Sequence, residues 1–197
     1  MKFPCSPIET TRLLLRPFEK TDLDQVMDYY ARPEVQRYLD ARGRDRAECV
    51  AAIDAMSRQR RFNRPGDIVS LAISRRLDRR VVGQISLQWT DATASQAEVR
   101  FVINPAFGGE GYCTEAMRAV LDVAFDELGF HRVFARCGAK NRGTTQMLKG
   151  LGMRLEAHYR EHALFQGEWD EELHFAILDR EWQRGGKVKE LRTHLVA

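Results

Sequence analysis

No run of the 197-residue chain stays apolar for the roughly 20 residues that a bilayer-spanning helix requires, so a membrane role is not expected. The opening MKFPCSPIETTRLLLRPF has an early lysine but no continuous apolar core before a small-residue cleavage site, so no secretory leader is read there. Cysteine is scarce. Cys5, Cys49, Cys113 and Cys137 lie far apart, with no C-x-x-C pair and no His/Cys ligand spacing. A disulfide framework and a metal site are therefore not expected, and a reducing cytoplasm is the natural compartment. An excess of one charge is lacking as well: a formal net charge of +3 is too small to imply a nucleic-acid partner. RQRRFNR (58–64) and RRLDRR (75–80) are local basic clusters, but the aromatic-basic interleaving that stacks RNA bases does not accompany them. They read as solvated arginines at a helix end and a hairpin turn. Internal repeats and low-complexity segments are also absent.

What is present suits an ordinary globular domain. Hydrophobic residues make up 44% and charged residues 30%, enough to bury a real core. One domain over 1–184 is expected, followed by a loosely held tail at 185–197. TTRLLLRPF (10–18) reads as a short strand stopped by Pro17, and Thr21 and Asp22 as caps for a helix with Leu23, Val26, Met27 and Tyr30 on one face. Pro33 opens a short helix ending near Leu39, and a longer one is expected from about Asp45 to Arg61. IVSLAIS, VVGQISLQW and AEVRFVIN then read as antiparallel strands joined by RRLDRR and TDATAS. Met117, Val120, Leu121, Ala124, Phe125 and Leu128 form one helical stripe closed by Gly129. HRVFARCG is a buried strand, RGTTQMLKGLG a helix closed by Gly152, and the segments on either side of QGE a final strand pair. The fold class is α/β (α+β), a mixed, mostly antiparallel sheet of about seven strands flanked by helices, and not a doubly wound parallel sheet.

The stretch NPAFGGEGYCTEAM (104–117) sets three glycines between a strand and a helix. A Walker A loop needs a lysine after the glycines, and none follows. A dinucleotide fingerprint needs a third glycine where Thr114 stands, and the preceding strands look antiparallel. Two readings stay open. The turn could wrap a pyrophosphate in backbone N–H groups at a helix N-terminus, or it could simply pack the helix on the sheet. Lysine and arginine are missing from the loop itself, so an anion there would be held mainly by backbone dipoles.

The elements ETTRLLLRPFEKTD, GGEGYCTEA, LGFHRVFARC, NRGTTQMLKGLGM and QGEWDEELHFAIL, in that order over about residues 9–182, resemble the GCN5-related N-acetyltransferase (GNAT) superfamily, in particular its ribosomal-protein-alanine acetyltransferase-like branch. The resemblance implies a sheet splayed at the strand pair that holds coenzyme A. It also implies acetyl-CoA as cosubstrate, no metal, and a primary amine as acceptor, on a protein N-terminus or a small molecule. Action as a monomer or homodimer follows, with no nucleic-acid or membrane partner. The family's pyrophosphate loop, [Q/R]-x-x-G-x-[G/A], falls on Ala106, Phe107, Gly108, Gly109, Glu110 and Gly111. Alanine at the first position and glycine at 108 depart from it. The implied cosubstrate contacts are Gly108, Gly109, Glu110, Gly111, Tyr112, Cys113 and Thr114 around the loop, main-chain groups of Phe101, Val102 and Ile103 on the splayed strand, and Asn141 at the pantetheine amides, the alternative for Asn141 being an ordinary helix cap.

Acetyl transfer needs a neutral amine, and a positioned carboxylate can take its proton. Glu98 is the first candidate base: in QAEVRFVIN it alternates with apolar Val99, Phe101 and Ile103. The alternative is a solvated or salt-bridged glutamate, paired for example with Arg100 on the same face. Glu161, His158 and His162 are weaker candidates. Many relatives use a tyrosine acid seven residues after the motif asparagine, but Leu148 stands there, and Thr144 is the candidate partner for the departing sulfur. Cys113, at a helix N-terminus where thiol pKa values fall, raises a covalent route, although a small-residue role is favoured. GEWDEE (167–172) hints at a polycationic acceptor such as an aminoglycoside. A non-catalytic acyl-CoA-binding module is the rival from another class.

Overall fold

The computed structural model describes residues 3, 6–36, 45–59, 61–165 and 167–183. The strands are β1 (Ile8–Glu9), β2 (Leu13–Arg16), β3 (Ile68–Arg75), β4 (Val81–Asp91), β5 (Gln96–Ile103), β6 (Arg132–Gly138), β7 (Arg154–Phe165) and β8 (Glu168–Leu178). They form an 8-stranded sheet in the order β1-β2-β3-β4-β5-β6-β8-β7. The strand beyond the expected seven is β1, whose two residues pair with Leu14 and Leu15. It is too short to show any alternation in sequence. All neighbours are antiparallel except β5 and β6.

Two helical layers cover the sheet. Helices α4 (Tyr112–Asp122) and α5 (Arg142–Gly150) pack Met117, Val120, Leu121 and Leu148 against Ile85, Val99, Val133, Ala135 and Phe175 in the larger core. Helices α1 (Leu23–Tyr30), α2 (Pro33–Gln36) and α3 (Arg46–Arg58) build a smaller core on the other face, where Val26, Tyr29, Val35 and Ile53 meet Ala72 and Val81. The expected stripe on α4 is buried from Met117 to Leu128. Its last turn differs from a plain helix: Val123–Glu127 widens to π geometry, and the Leu128 N–H donates to the Val123 carbonyl. Gly129, at φ +64°, then turns the chain toward β6.

The caps are only partly the expected ones. Asp45 caps α3, accepting from the Glu48 N–H at 2.8 Å while the Glu48 carboxylate accepts from the Asp45 N–H. Asp22 stands at the α1 cap position, but its carboxylate turns away and accepts from both terminal nitrogens of Arg16, at 2.8 and 2.7 Å. That buried ion pair pins β2 to the start of α1. Of the remaining expectations, the helix end at Leu39 and the tail at 185–197 lie outside the described residues.

Candidate active site

Strand β5 has β4 on one side along its length and β6 on the other for only three residues. The parallel pairing runs Gln96↔Arg132, Ala97↔Val133 and Glu98↔Phe134, and then stops. β5 continues to Ile103 beside β4, and β6 continues to Gly138 beside β8, so a wedge opens between them. The Asn104 N–H donates to the Val82 carbonyl across the β4–β5 ladder. Strict alternation then directs the main chain of Glu98, Arg100 and Val102 toward β4, and that of Val99, Phe101 and Ile103 into the wedge. Of the three main-chain contacts expected from the resemblance, Phe101 and Ile103 therefore face the gap. Val102 does not: its backbone is spent on the ladder, and its side chain packs on the α1–α3 core. Val99 joins the row in its place.

At the mouth of the wedge, a 3₁₀ turn at Pro105–Phe107 leads into the glycine loop. Asn104, 1% exposed, organises the turn: its Oδ1 accepts from the Ala106 N–H and its Nδ2 donates to Asp28 on α1. Gly109 and Gly111 adopt φ +81° and +77°, a left-handed conformation costly for residues bearing a Cβ. No atom lies within 4 Å of where a Gly109 Cβ would be, so the loop backbone is approachable. Gly111 is the N-cap of α4 and supplies no side-chain acceptor, leaving the first-turn N–H groups for a ligand anion. This open cradle fits a pyrophosphate. Gly108 is extended, at φ −65°, so the missing aromatic there imposes no strain.

The loop is braced from far away in sequence. Glu115, in the first turn of α4, accepts from the Thr10 hydroxyl at 2.6 Å, the Arg12 N–H at 2.8 Å and Arg12 Nε at 2.7 Å. Arg12 Nη1 also donates to the Glu110 carbonyl at 2.9 Å, and its guanidinium lies 4.7 Å over the Tyr112 ring. The guanidinium groups of Arg75 and Arg80 lie 5.1 and 5.0 Å from the centre of the Phe107 ring. The basic residues that the loop lacks in sequence are thus delivered by the β1–β2 turn and the β3–β4 hairpin. Glu110 and Tyr112 are engaged with this brace.

Glu98 sits at the apex where β5 and β6 part, 4% exposed. One carboxylate oxygen accepts from Arg100 at 2.8 Å and the other from Arg136 Nε at 2.7 Å. Burial pushes this carboxyl up, but the hydrogen bonds and charges of the two arginines outweigh it and hold it below the ordinary glutamate value. A carboxylate so stabilised in its ionised form is a weak proton acceptor. Farther along the same face of the sheet, Arg136 lies opposite His174 in the β6–β8 register, and His174 Nε2 is 2.7 Å from Glu172. Arg136 and His174 carry no sequence signal of a site, because strand alternation does not reveal which strands will be neighbours.

The other candidates are distributed around the wedge. Asn141 caps α5, its Oδ1 accepting from the Thr144 N–H at 3.0 Å, and Thr144 is half-buried in the first helical turn. Leu148 is fully buried in the core. Cys113 packs against the core, where burial pushes its thiol up to about 12, the opposite of an activated nucleophile. Thr114 follows it in the first turn of α4, half-buried. Glu161 is exposed, at φ +50° in a bulge of β7, and His158 pairs with Glu171. His162 is exposed beside Tyr159. Among the described residues, no group of three or more His, Cys, Asp or Glu side chains is placed to hold a metal ion, and no helix is long and apolar enough to cross a membrane.

A strand pair that parts after three residues, with a glycine cradle at its mouth, is the geometry implied by the sequence resemblance. The acetyltransferase (GNAT) domain model matches residues 12–154. The chain belongs to the GNAT acetyltransferase family. It is 27% identical over 175 residues to an uncharacterized N-acetyltransferase, YnaD, of Bacillus subtilis (strain 168), covering 89% of this chain and 98% of that protein. A GNAT-family acetyltransferase from Bacillus anthracis superposes with TM-score 0.77 at 25% identity, over 89% of this chain and 99% of the other. In fold it also matches the spermidine N-acetyltransferase of Vibrio cholerae, solved with CoA and spermine, at TM-score 0.75 and 16% identity, over 88% of this chain and 99% of that one. In this GNAT chain, the matched segment includes β5, the loop, α4, β6 and α5, the elements around the wedge and the glycine cradle.

Proposed function

We propose that this chain transfers the acetyl group of acetyl-CoA to a primary amine, on a protein N-terminus or a small molecule, by direct attack in a ternary complex. The observation that carries the reading is the end of β5–β6 pairing at Glu98↔Phe134, with the left-handed Gly109–Gly111 turn beyond it. The main chain of Val99, Phe101 and Ile103 offers the pantetheine arm a strand edge, and an N–H in this row polarises the acetyl carbonyl. The Asn141 oxygen serves the cap, and its amide nitrogen is the group for a pantetheine carbonyl. The amine nitrogen attacks the thioester carbon, the C–N bond forms and the C–S bond breaks. The thiolate leaves beside the Thr144 hydroxyl and takes up a proton. An α-amine, with a pKa near 8, is partly neutral at physiological pH and needs less help than a lysine.

Glu98, the base expected from sequence, is reassigned here as an ionic clamp at the wedge apex, since both of its oxygens are occupied by guanidinium groups. A non-catalytic acyl-CoA-binding module is the second reading, and a buried Leu148 at the position where many members of the family use a tyrosine favours it. Calorimetry with acetyl-CoA, followed by thiol-release assays against N-terminal peptides, spermidine and an aminoglycoside, separates the two. Acetyl-CoA binding with release driven by at least one amine is expected. Binding without release from any of them would sink the enzyme reading.

A further inference from the structure

We infer that His174, oriented by Glu172, is the general base that takes the proton from the acceptor amine. The inference rests on the proposed acetyl transfer and names the group that the reaction lacks once Glu98 is clamped. His174 lies on β8 opposite Arg136 of β6, two strands from β5 and on the face of the sheet that carries Glu98. It is half-buried, and its Nε2 stands 2.7 Å from Glu172 Oε1. An ionised carboxylate only accepts, so this bond assigns the proton to Nε2 and leaves the lone pair on Nδ1. Nδ1 has no hydrogen-bond partner among the described residues. A neutral imidazole with one nitrogen fixed by a carboxylate and the other open is an acceptor for an incoming proton.

The charged surroundings are mixed. Glu172 on β8 and Arg136 on β6 both face the imidazole, and Arg136 is itself shared between Glu98 and Glu172, at 2.7 and 3.8 Å. The Tyr159 ring on β7 lies 4.6 Å from the imidazole and 6.1 Å from the ring of His162. His158 and Glu171 form a second pair, but His158 is in register with Leu173, whose side chain enters the core on the opposite face of β8. That pair faces away from the wedge. A strand spacing of about 4.8 Å puts His174 within one water of an amine lying over β6. The proton passes from the amine nitrogen to Nδ1, directly or through that water, as the C–N bond forms. It leaves to solvent after the thiol departs.

The test combines kinetics with a spectroscopic reading. In the wild type, kcat/KM for the amine should have an acidic limb set by the imidazole beside the one set by the amine's own ionisation. The Glu172→Gln variant should move that limb to lower pH, because the imidazolium loses its counter-charge, and should lower the pKa read from the His174 ring protons by NMR. His174→Gln should lose about 10²-fold or more in kcat while binding acetyl-CoA as the wild type does by calorimetry. A His174→Gln enzyme with wild-type kcat, or a limb and ring pKa unmoved in Glu172→Gln, overturns the inference and leaves acetyl transfer standing. A wild type that binds acetyl-CoA but acetylates no amine overturns acetyl transfer and the base together.

Discussion

Glu98 on β5 and Arg136 on β6 meet at 2.7 Å across the point where their strands part. One ion pair thus ties the two walls of the wedge at its apex, and Arg100 holds the other carboxylate oxygen. The pair lets the gap open beyond it without unzipping the backbone pairing behind it.

Removing the clamp should loosen the apex. Glu98→Ala leaves two guanidinium groups without their shared acceptor and is expected to cost about 1–3 kcal/mol, read by chemical denaturation. The folded-state pKa of Glu98 lies below its unfolded value. Its contribution is therefore complete above the unfolded carboxylate pKa, about 4.3, and is lost as pH falls through the folded value. The stability difference between wild type and Glu98→Gln should be constant near neutrality and shrink only at acidic pH. A difference that grows toward low pH contradicts the clamp.

Arg12 is expected to act on the cosubstrate through the loop it braces. Arg12→Ala removes the side-chain bonds to Glu110 and Glu115, leaving the backbone N–H bond to Glu115, and should raise KM for acetyl-CoA about tenfold with kcat little changed. Arg12→Lys should restore little, because a single ammonium cannot reproduce the guanidinium fork. A loss confined to kcat would argue against this role.

Gly111 is required by its backbone angle. At φ +77°, alanine costs roughly 1–2 kcal/mol, and its Cβ would stand 3.4 Å from Arg12 Nη2. Gly111→Ala should weaken acetyl-CoA binding in calorimetry more than it lowers the melting temperature relative to other surface alanine variants. Gly83 is required for space: a Cβ there would lie 2.3 Å from the Val102 carbonyl, so Gly83→Val should displace the end of β5 and weaken binding as well.

Cys113 should be inert. With burial holding its thiol up to about 12, the thiolate is a minute fraction near pH 8. Iodoacetamide should label it in the native protein far more slowly than in urea, by mass spectrometry. Fast native labelling would reopen a covalent route.

Much of the proposed cosubstrate side was legible in sequence because its signals are local. Gly109 and Gly111 announce left-handed turns, the stripe from Met117 to Leu128 announces a buried helix, and Asn141 announces a cap. The acceptor side was not legible for the complementary reason. Glu98 reads the same whether it is a base or a clamp, and the clamp reading rests on Arg136, 38 positions away. His174 and Glu172 alternate along a strand like many surface pairs, and only the placement of β8 beside β6 gives them a setting.

The sequence by itself determined the element types, the mixed mostly antiparallel sheet and the glycine loop, since periodicity, turn chemistry and Cβ sterics act within a few residues. Only the tertiary structure decided what surrounds the loop and the wedge. Arg12 reaches Glu115 across 103 positions, and β6 departs from β5 after Phe134. Such contacts depend on which strands become neighbours, and burial energetics settles that over the whole sheet at once.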